Sequence, residues 1–314
     1  MRATRGLGIA VAATVAGLFL TPKLMPGHAL AHTVERFVDR TVDAVVGAVD
    51  RTVDRSRDGR AERSADRAAD RAERGGQSAS QEPFRWAGAL DAGQVIEIRG
   101  VNGPVEAVRA SGDRIVVEAD KTARRSDPAE VVIEAVEHGD GVTFCAVYPT
   151  PSGERTNRCG PGDEYRSSVR NNDVAVHFRI EVPEGVRLDI RTVNGDVEAT
   201  GLASDVDAVT VNGDVELTTT GFAAARTVNG SIEAAMGQWM PEGARFETVN
   251  GSIDLDLPDD VDADIDASWV NGGLDSDLPL MVDGRVGRRS VQGRLGDGGP
   301  DLDIKTVNGS IRIR

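Results

Sequence analysis

Few residues in this sequence combine the side-chain types and the spacing that catalysis requires. His28 and His32 fall at the end of a leader segment, and His138 and His177 stand alone, so the sequence shows no Ser/His/Asp or Cys/His set and no zinc spacing. The 51 acidic residues are spread along the whole chain, so no two carboxylates stand out as an acid/base pair. The sequence therefore predicts no enzyme active site and no cofactor.

One acidic cluster could bind a metal. Asp262, Asp264 and Asp266 alternate with Ala263 and Ile265, which would place three carboxylates on one face of a strand. Like charges placed in this way repel each other, and Ca²⁺ would relieve the repulsion by taking several carboxylate oxygens. The spacing matches neither an EF-hand loop nor a calcium nonapeptide repeat, which favours a solvated face that resists aggregation. Calcium stays an open alternative.

The two cysteines predict a disulfide and an oxidising compartment. Cys145 and Cys159 are the only pair in the chain, and their spacing is not that of a C-x-x-C redox motif. The residues between them are rich in Pro, Gly, Ser and Thr and have little apolar surface to bury. Closing a loop of about 15 residues would stabilise the fold by roughly 3 kcal/mol.

The strongest signal is an internal repeat of the tripeptide Val-Asn-Gly. Its Asn–Gly pairs are Asn102–Gly103, Asn194–Gly195, Asn212–Gly213, Asn229–Gly230, Asn250–Gly251, Asn271–Gly272 and Asn308–Gly309. The variant Val291-Gln292-Gly293 is assigned to an eighth place. After a first gap of 92 residues, the central residues follow at steps of 18, 17, 21, 21, 21 and 16. Periods near 20 residues are typical of stacked repeat architectures.

The residues on both sides of the tripeptide predict that each repeat unit consists of a strand, a turn and a second strand. Counted from the Asn, the residues at −6 and +3 are apolar in all eight units, and polar residues alternate with them. The step from −4 to +3 is odd, so one straight strand cannot keep these residues on a single face. We therefore expect the chain to turn at Asn–Gly, where a positive φ costs little.

Two all-β architectures fit such units. Asn–Gly could close tight hairpins in an antiparallel meander, or it could form the corner of a β-solenoid whose coils stack in parallel. The regular period favours the solenoid, and so does the Val before each Asn, which a hairpin would place on its outer face. Between residues 105 and 186 the tripeptide is missing, but 114–119, 131–137, 141–147 and 174–182 are predicted strands of the same sheet, with an insertion.

Three segments precede this repeat domain. Residues 1–31 have a basic start, an apolar run over 7–20 and a small-x-small site at 29–31, which predicts a secretory signal peptide, although the run could also stay as an anchor. Residues 32–74 contain ten acids and ten Arg, with valines at helical spacing between Val34 and Val53, which predicts a charged helix. This helix is a spacer or a self-association element over 33–53. Residues 75–83 are a predicted flexible linker.

The repeated TVNGDVE and TVNGSI units resemble the bacterial putative-adhesin family, an exported β-strand-repeat domain of unknown function. The resemblance covers residues 84–314. It implies an elongated all-β domain of stacked short strands. It carries over no catalytic residues.

The net charge argues against one class of partner, nucleic acid, and indicates how the protein would meet charged surfaces. The net charge of −15 argues against a nucleic-acid binder. Residues 75–314 alone carry 23 basic and 41 acidic residues, so the acidity belongs to the repeat domain and would make adhesion to anionic surfaces depend on divalent cations. We expect a non-catalytic, adhesin-like scaffold in the periplasm, on the cell surface or secreted, with an envelope protein or polysaccharide as partner. An envelope-stress sensor and a polysaccharide-acting solenoid enzyme are the alternatives, and aromatics at 4% speak against the enzyme.

Overall fold

The computed structural model describes residues 78–79, 83–238, 243–258, 260–282 and 287–314, and these form an all-β fold. Its strands are β1 (Ser78–Ala79), β2 (Phe84–Gly88), β3 (Val95–Arg99), β4 (Val105–Arg109), β5 (Ile115–Ala123), β6 (Val132–His138), β7 (Gly141–Val147), β8 (Ala175–Val182), β9 (Arg187–Arg191), β10 (Val197–Leu202), β11 (Val206–Val209), β12 (Val215–Thr219), β13 (Ala223–Arg226), β14 (Ile232–Met236), β15 (Ala244–Glu247), β16 (Ile253–Asp256), β17 (Ala263–Asn271), β18 (Leu274–Ser276), β19 (Leu280–Val282), β20 (Ser290–Leu295), β21 (Asp301–Asn308) and β22 (Ile311–Ile313). The described residues also include two short 3-10 helices, Pro128–Glu130 and Gly162–Glu164.

The strands form two sheets that face each other across one core. Sheet A has the order β1-β5-β8-β4-β10-β12-β14-β16-β22-β18, with β2 also on β5, and sheet B has the order β19-β20-β17-β21-β15-β13-β11-β9-β3-β7-β6. Each coil contributes one strand to sheet B, turns a corner and contributes the next strand to sheet A. Corresponding strands of successive coils pair in parallel, for example β12 with β14. The predicted solenoid is confirmed, and the hairpin meander is wrong because the repeats pair side by side in parallel.

The core follows from the period-two alternation on both sides of the corner. The residues at −6, −4 and +3 point inward and are almost fully buried in the central coils, as at Val206, Ala208 and Val215. The Val before the Asn is buried as well at six of the seven corners, including Val211 and Val228, and Val270 at the remaining corner is partly buried. A corner that turns inward between two sheets buries this side chain, whereas a hairpin would expose it. Burial of one apolar face against each neighbouring coil is the main stabilising contribution.

The spatial order of the coils differs from their order in the sequence at both ends. The coil β3–β4 lies between β7–β8 and β9–β10, and the coil β21–β22 lies between β15–β16 and β17–β18. The C-terminal strand β21 therefore occupies a slot between β15 and β17 and pairs in parallel with both. A repeat period specifies the coil itself, but it does not specify which coil becomes the neighbour.

Antiparallel strands cover the ends of the parallel stack. β5 and β6 pair with β8 and β7 at one end, and β20 pairs with β17 at the other. The assignment of Val291-Gln292-Gly293 to an eighth corner is wrong, because this tripeptide lies inside β20 and runs straight along β17. The amide of Gln292 donates to Asp266 at 2.9 Å instead of joining its counterparts in the other units. This pairing protects the open edge of sheet B.

The region between residues 105 and 186 belongs to the same two sheets. Its four predicted strands correspond to β5, β6, β7 and β8. β7 and β8 form a coil whose corner is replaced by the loop 148–174, and the predicted disulfide Cys145–Cys159 joins β7 to this loop. Asn157 holds the loop, since its amide donates to the carbonyls of Tyr148 at 2.9 Å and Ser168 at 2.8 Å.

The predicted signal peptide over 1–31 and charged helix over 32–74 lie outside the described residues. Of the predicted linker, the structure places Ser78–Ala79 in a two-residue strand against β5. Among the described residues, no helix has the length and apolar character needed to cross a membrane.

Candidate interaction surface

The Asn side chains of the seven corners form one continuous ladder. The side-chain amides of six of these Asn donate to the side-chain carbonyl of a spatial neighbour over 2.6–2.9 Å, and the amide of Asn102 at the end donates to the backbone carbonyl of Val174. The spatial order is Asn102, Asn194, Asn212, Asn229, Asn250, Asn308 and Asn271. The last two follow the exchanged order of the terminal coils. The ladder satisfies a donor and an acceptor at every interior position and makes the corners a structural element.

The corner glycines are required by the close approach of neighbouring backbones. A Cβ at Gly195, Gly213, Gly230, Gly251, Gly272 or Gly309 would lie only 1.8–2.2 Å from the carbonyl oxygen of the Gly in an adjacent coil. The expected reason, a positive φ, holds for Gly103, Gly230 and Gly272 and not for the other four. A positive φ therefore does not explain most of the corner glycines. They are required because parallel stacking places the backbone of each corner Gly against that of the corner Gly in the adjacent coil, which leaves no room for a Cβ.

A column of threonines, which the alternation around Val-Asn-Gly does not predict, supports the same corner. The hydroxyl groups of Thr210, Thr227, Thr248 and Thr306 each donate to the carbonyl of a Gly in the adjacent coil over 2.8–3.1 Å. All four side chains are fully buried. The recurrence of Thr two residues before Asn in the TVNG units was the signal that could have revealed this contact.

A row of carboxylates runs along the outer face of sheet A. Its members lie side by side in parallel register on β4, β10, β12, β14 and β16, and they are Glu106, Glu198, Glu216, Glu233 and Asp254. Parallel neighbours are about 4.8 Å apart, so five negative charges extend over about 19 Å. Glu198, Glu216 and Glu233 are exposed and have no basic partner among the residues that the structure describes. We call these five residues the carboxylate row.

Among the described residues, basic side chains compensate the row only at its two ends. At one end Asp254 accepts from Arg314 at 3.3 Å and lies 3.5 Å from Arg312. At the other end Glu106 lies 3.0 Å from His177 and is in register with Arg179. The centre of the row therefore keeps its full negative charge at the surface, where it attracts cations.

A shallow recess adjoins the Glu106 end of the row. It has a volume of about 190 Å³, and its lining includes Val108, Glu118 and Arg179. The guanidinium of Arg179 binds the carboxylate of Asp120, and this hydrogen bond raises the pKa of Arg179 further above its usual value. Val108 is 50% exposed, so the recess offers an apolar floor beside charged walls.

The three aspartates of the predicted calcium cluster have different neighbours in the structure. Asp262 accepts from the backbone N–H of Asp297 at 2.8 Å, Asp266 accepts from Gln292 at 2.9 Å, and Asp264 lies opposite Arg294 in the antiparallel register. Among the described residues, no group of three or more His, Cys, Asp or Glu side chains is arranged to hold a metal ion. These contacts relieve the repulsion for which calcium was invoked.

Comparison with known proteins finds one family model and several solved structures that are similar to this chain. The family described as Toastrack DUF4097 matches residues 163–314. The fold resembles the crystal structure of a "putative cell adhesion protein" from Clostridium sporogenes, with 12% identity and a TM-score of 0.38, covering 74% of this chain and 99% of that one. It also resembles a "putative adhesin" from Bacteroides fragilis, with 13% identity and a TM-score of 0.29, covering 75% and 98% of the two chains.

No curated protein matches the sequence. The resemblance to the bacterial putative-adhesin family is confirmed by the family match. The match begins in the loop before β8 and includes six of the seven Asn–Gly corners. Over residues 163–314, the chain is similar to the Toastrack DUF4097 family.

Proposed function

We propose that this protein is an exported, non-catalytic, adhesin-like scaffold of the cell envelope or cell surface, and that the carboxylate row is its contact surface. The carrying observation is that Glu198, Glu216 and Glu233 repeat in exact register, exposed and without basic partners in the described part of the chain. A rigid sheet fixes their spacing before any partner arrives. Such preorganisation lowers the entropic cost of binding a repetitive partner.

The chemistry of the row selects the class of partner. Exposed carboxylates attract amines, guanidinium groups and divalent cations, and they repel anionic polymers unless a cation bridges the two. An envelope polysaccharide with phosphate or carboxylate groups would therefore bind only with Ca²⁺ or Mg²⁺ present. An envelope protein with a basic face would bind without them.

Export is supported by the disulfide and the leader. The Cys145–Cys159 bond closes a loop that contains few apolar residues, and such bonds persist in oxidising compartments. The signal peptide predicted over residues 1–31 gives the same location. Both features are typical of a protein that acts outside the cytoplasm.

A binding assay on isolated bacterial cell walls tests the proposal. The chain that begins at His32 is mixed with the walls in calcium or in chelator, and the bound fraction is measured after sedimentation. The row variant Glu198→Gln/Glu216→Gln/Glu233→Gln removes three charges from the row. The control variant Asp113→Asn/Glu137→Gln/Asp140→Asn removes three exposed charges elsewhere.

We expect binding that requires calcium, a loss of at least tenfold in the row variant and no change in the control. Equal binding by both variants would contradict the assignment of the contact surface. Reproducible release of soluble sugar fragments from the walls would contradict the non-catalytic function. Capture of a single envelope protein that the row variant still retains would favour the stress-sensor alternative and count against the scaffold.

A further inference from the structure

On the outer face of sheet B, residues next to the corners are buried where an outward position is normally exposed. The residue three positions before each corner Asn points away from the core, as its counterparts in sheet A do. Yet Val209, Arg226 and Glu247 at this position are only 0%, 9% and 1% exposed, and Arg99 is 2% exposed. On sheet A, the outward residues Glu198, Glu216 and Glu233 are all exposed. We call the outward residues of β3, β9, β11, β13 and β15 the sheet B outer face.

Charges of both signs alternate across this face. Asp189 accepts from Arg99 at 2.6 Å and from Arg191 at 2.9 Å, and Arg191 also reaches Asp207 at 3.3 Å. Burial raises the pKa of Asp189, but the guanidinium groups of Arg99 and Arg191 outweigh burial and hold the pKa below its usual value. Further along, Lys305 lies 3.4 Å from Glu247. A ligand for this face must offer both acidic and basic groups.

The disulfide loop accounts for the cover at one end. The backbone N–H of Gly162 donates to Glu97 on β3 at 3.4 Å, and buried Tyr165 packs against Cys145 on β7. Arg226 and Glu247 lie on β13 and β15, three and four strands away from β3. That is about 14 to 19 Å from the contacts of the loop. Their burial calls for a second cover.

We propose that residues 33–74 of the same chain dock on the sheet B outer face. This segment contains ten acids and ten Arg, largely as Asp-Arg and Glu-Arg dipeptides. It can therefore form ion pairs with both the acidic and the basic residues of the sheet B outer face. Its valines recur at helical spacing and would cover Val209, the outward apolar residue at the centre of the face. The proposal is independent of the proposed function, but it would leave sheet A as the free surface.

Length and position agree with this occupant. As a helix, 42 residues would extend about 63 Å, whereas the eleven strands of sheet B span about 48 Å. The described chain begins with β1 and β2 at the β5 end of the stack, so the preceding residues enter from the end where β3 also lies. A segment that starts there can run along the whole face.

Carbodiimide cross-linking of the chain that begins at His32 tests the docking. This chain contains two lysines, Lys305 on sheet B beside Glu247 and Lys121 on sheet A. A zero-length reagent joins an amine to a carboxylate in contact with it. We expect Lys305 to link to Glu247 and also to acids within 33–74 of the same chain, and we expect Lys121 to link to none of those acids. Mixing ¹⁵N-labelled and unlabelled chains identifies the links between copies.

Hydrogen exchange provides the second measurement. We expect the amides of 33–53 to exchange at least tenfold more slowly than in an unstructured peptide. Val209→Asp should abolish this protection, whereas the control Thr218→Asp, at an exposed outward position of sheet A, should keep it. Val38→Asp/Val42→Asp, which leaves both sheets untouched, should abolish it as well. Links found only between labelled and unlabelled chains, or protection that survives both disrupting variants, would overturn docking within one chain.

Discussion

The side-chain amide of Asn250 donates to the side-chain carbonyl of Asn229 over 2.8 Å, although 21 residues separate the two in the chain. Asn229 in turn donates to Asn212 over the same distance. Each interior Asn of the ladder is thus both donor and acceptor, and these bonds join every coil to the next along the edge that the two sheets share. The corner is the part of the repeat that tolerates the least change.

Removing an interior member of this ladder should cost more than removing its end. Asn229→Ala loses one donated and one accepted bond, whereas Asn271→Ala loses only the bond to Asn308 among the described residues. We expect a loss of about 1–2 kcal/mol in the free energy of unfolding for Asn229→Ala and about half of that for Asn271→Ala. Urea denaturation measures both. Equal losses would show that the ladder is not the source of the stability.

The close approach of the corner glycines should make them intolerant of any side chain. A Cβ at Gly230 would lie 1.9 Å from the carbonyl oxygen of Gly213, and both are backbone positions that cannot give way. We expect Gly230→Ala to destabilise the fold by more than 3 kcal/mol or to prevent folding. Gly112→Ala is the control, because nothing lies within 4 Å of its Cβ. Circular dichroism during heating should show a wild-type Tm for the control.

The threonine column offers a matched pair of substitutions. The hydroxyl of Thr248 donates to the carbonyl of Gly230 at 2.8 Å, whereas the buried hydroxyl of Thr192 has no hydrogen-bond partner within the part of the chain that the structure describes. We expect Thr248→Val to cost about 1–2 kcal/mol because the carbonyl loses its donor. Thr192→Val should be neutral or stabilising, since it removes an unsatisfied polar group from the core. Urea denaturation of the two variants measures the difference. A larger loss of stability in Thr192→Val than in Thr248→Val would contradict the role given to the Thr248 hydrogen bond.

Reduction of the disulfide should loosen the loop 148–174. The bond spans 14 positions between Cys145 and Cys159, and its loss should lower the free energy of unfolding by about 3 kcal/mol. The urea midpoint should therefore fall on addition of dithiothreitol. In the double variant Cys145→Ala/Cys159→Ala the midpoint should start low and not respond to the reductant. A response in that variant would mean that the reductant acts elsewhere.

Acid should weaken the contact between Asp173 and the turn at Ser126. The backbone N–H of Ser126 donates to Asp173 at 2.8 Å and, with its hydroxyl, lowers the pKa of this carboxyl to about 2. The folded pKa lies below the unfolded value near 4, so the contribution is complete above pH 4 and is lost as the pH falls through 2. Asp173→Asn should flatten the fall of the urea midpoint between pH 4 and 2. Above pH 5 the two proteins should show the same slope.

The repeat predicts much of the fold because its information is local. Alternation around Val-Asn-Gly places residues such as Ile232 inside and Glu233 outside, and the buried Val228 favours a corner over a hairpin. The strands β5 to β8 could be located for the same reason. The threonine hydrogen bonds could not be predicted in the same way, because each joins two different coils. The sequence shows only that Thr recurs two residues before Asn.

The sequence by itself determined the coil: two short strands, an Asn–Gly corner between them and an apolar face on each. Only the tertiary structure decided the neighbours. It placed β21 between β15 and β17 and drew Val291-Gln292-Gly293 into an antiparallel strand. Coils with the same apolar face pack almost equally well on one another, so the order of stacking follows from the chain connections and from the need to cover the ends. It also decided that Gly213 and Gly230 must touch, because that contact exists only once two coils are stacked.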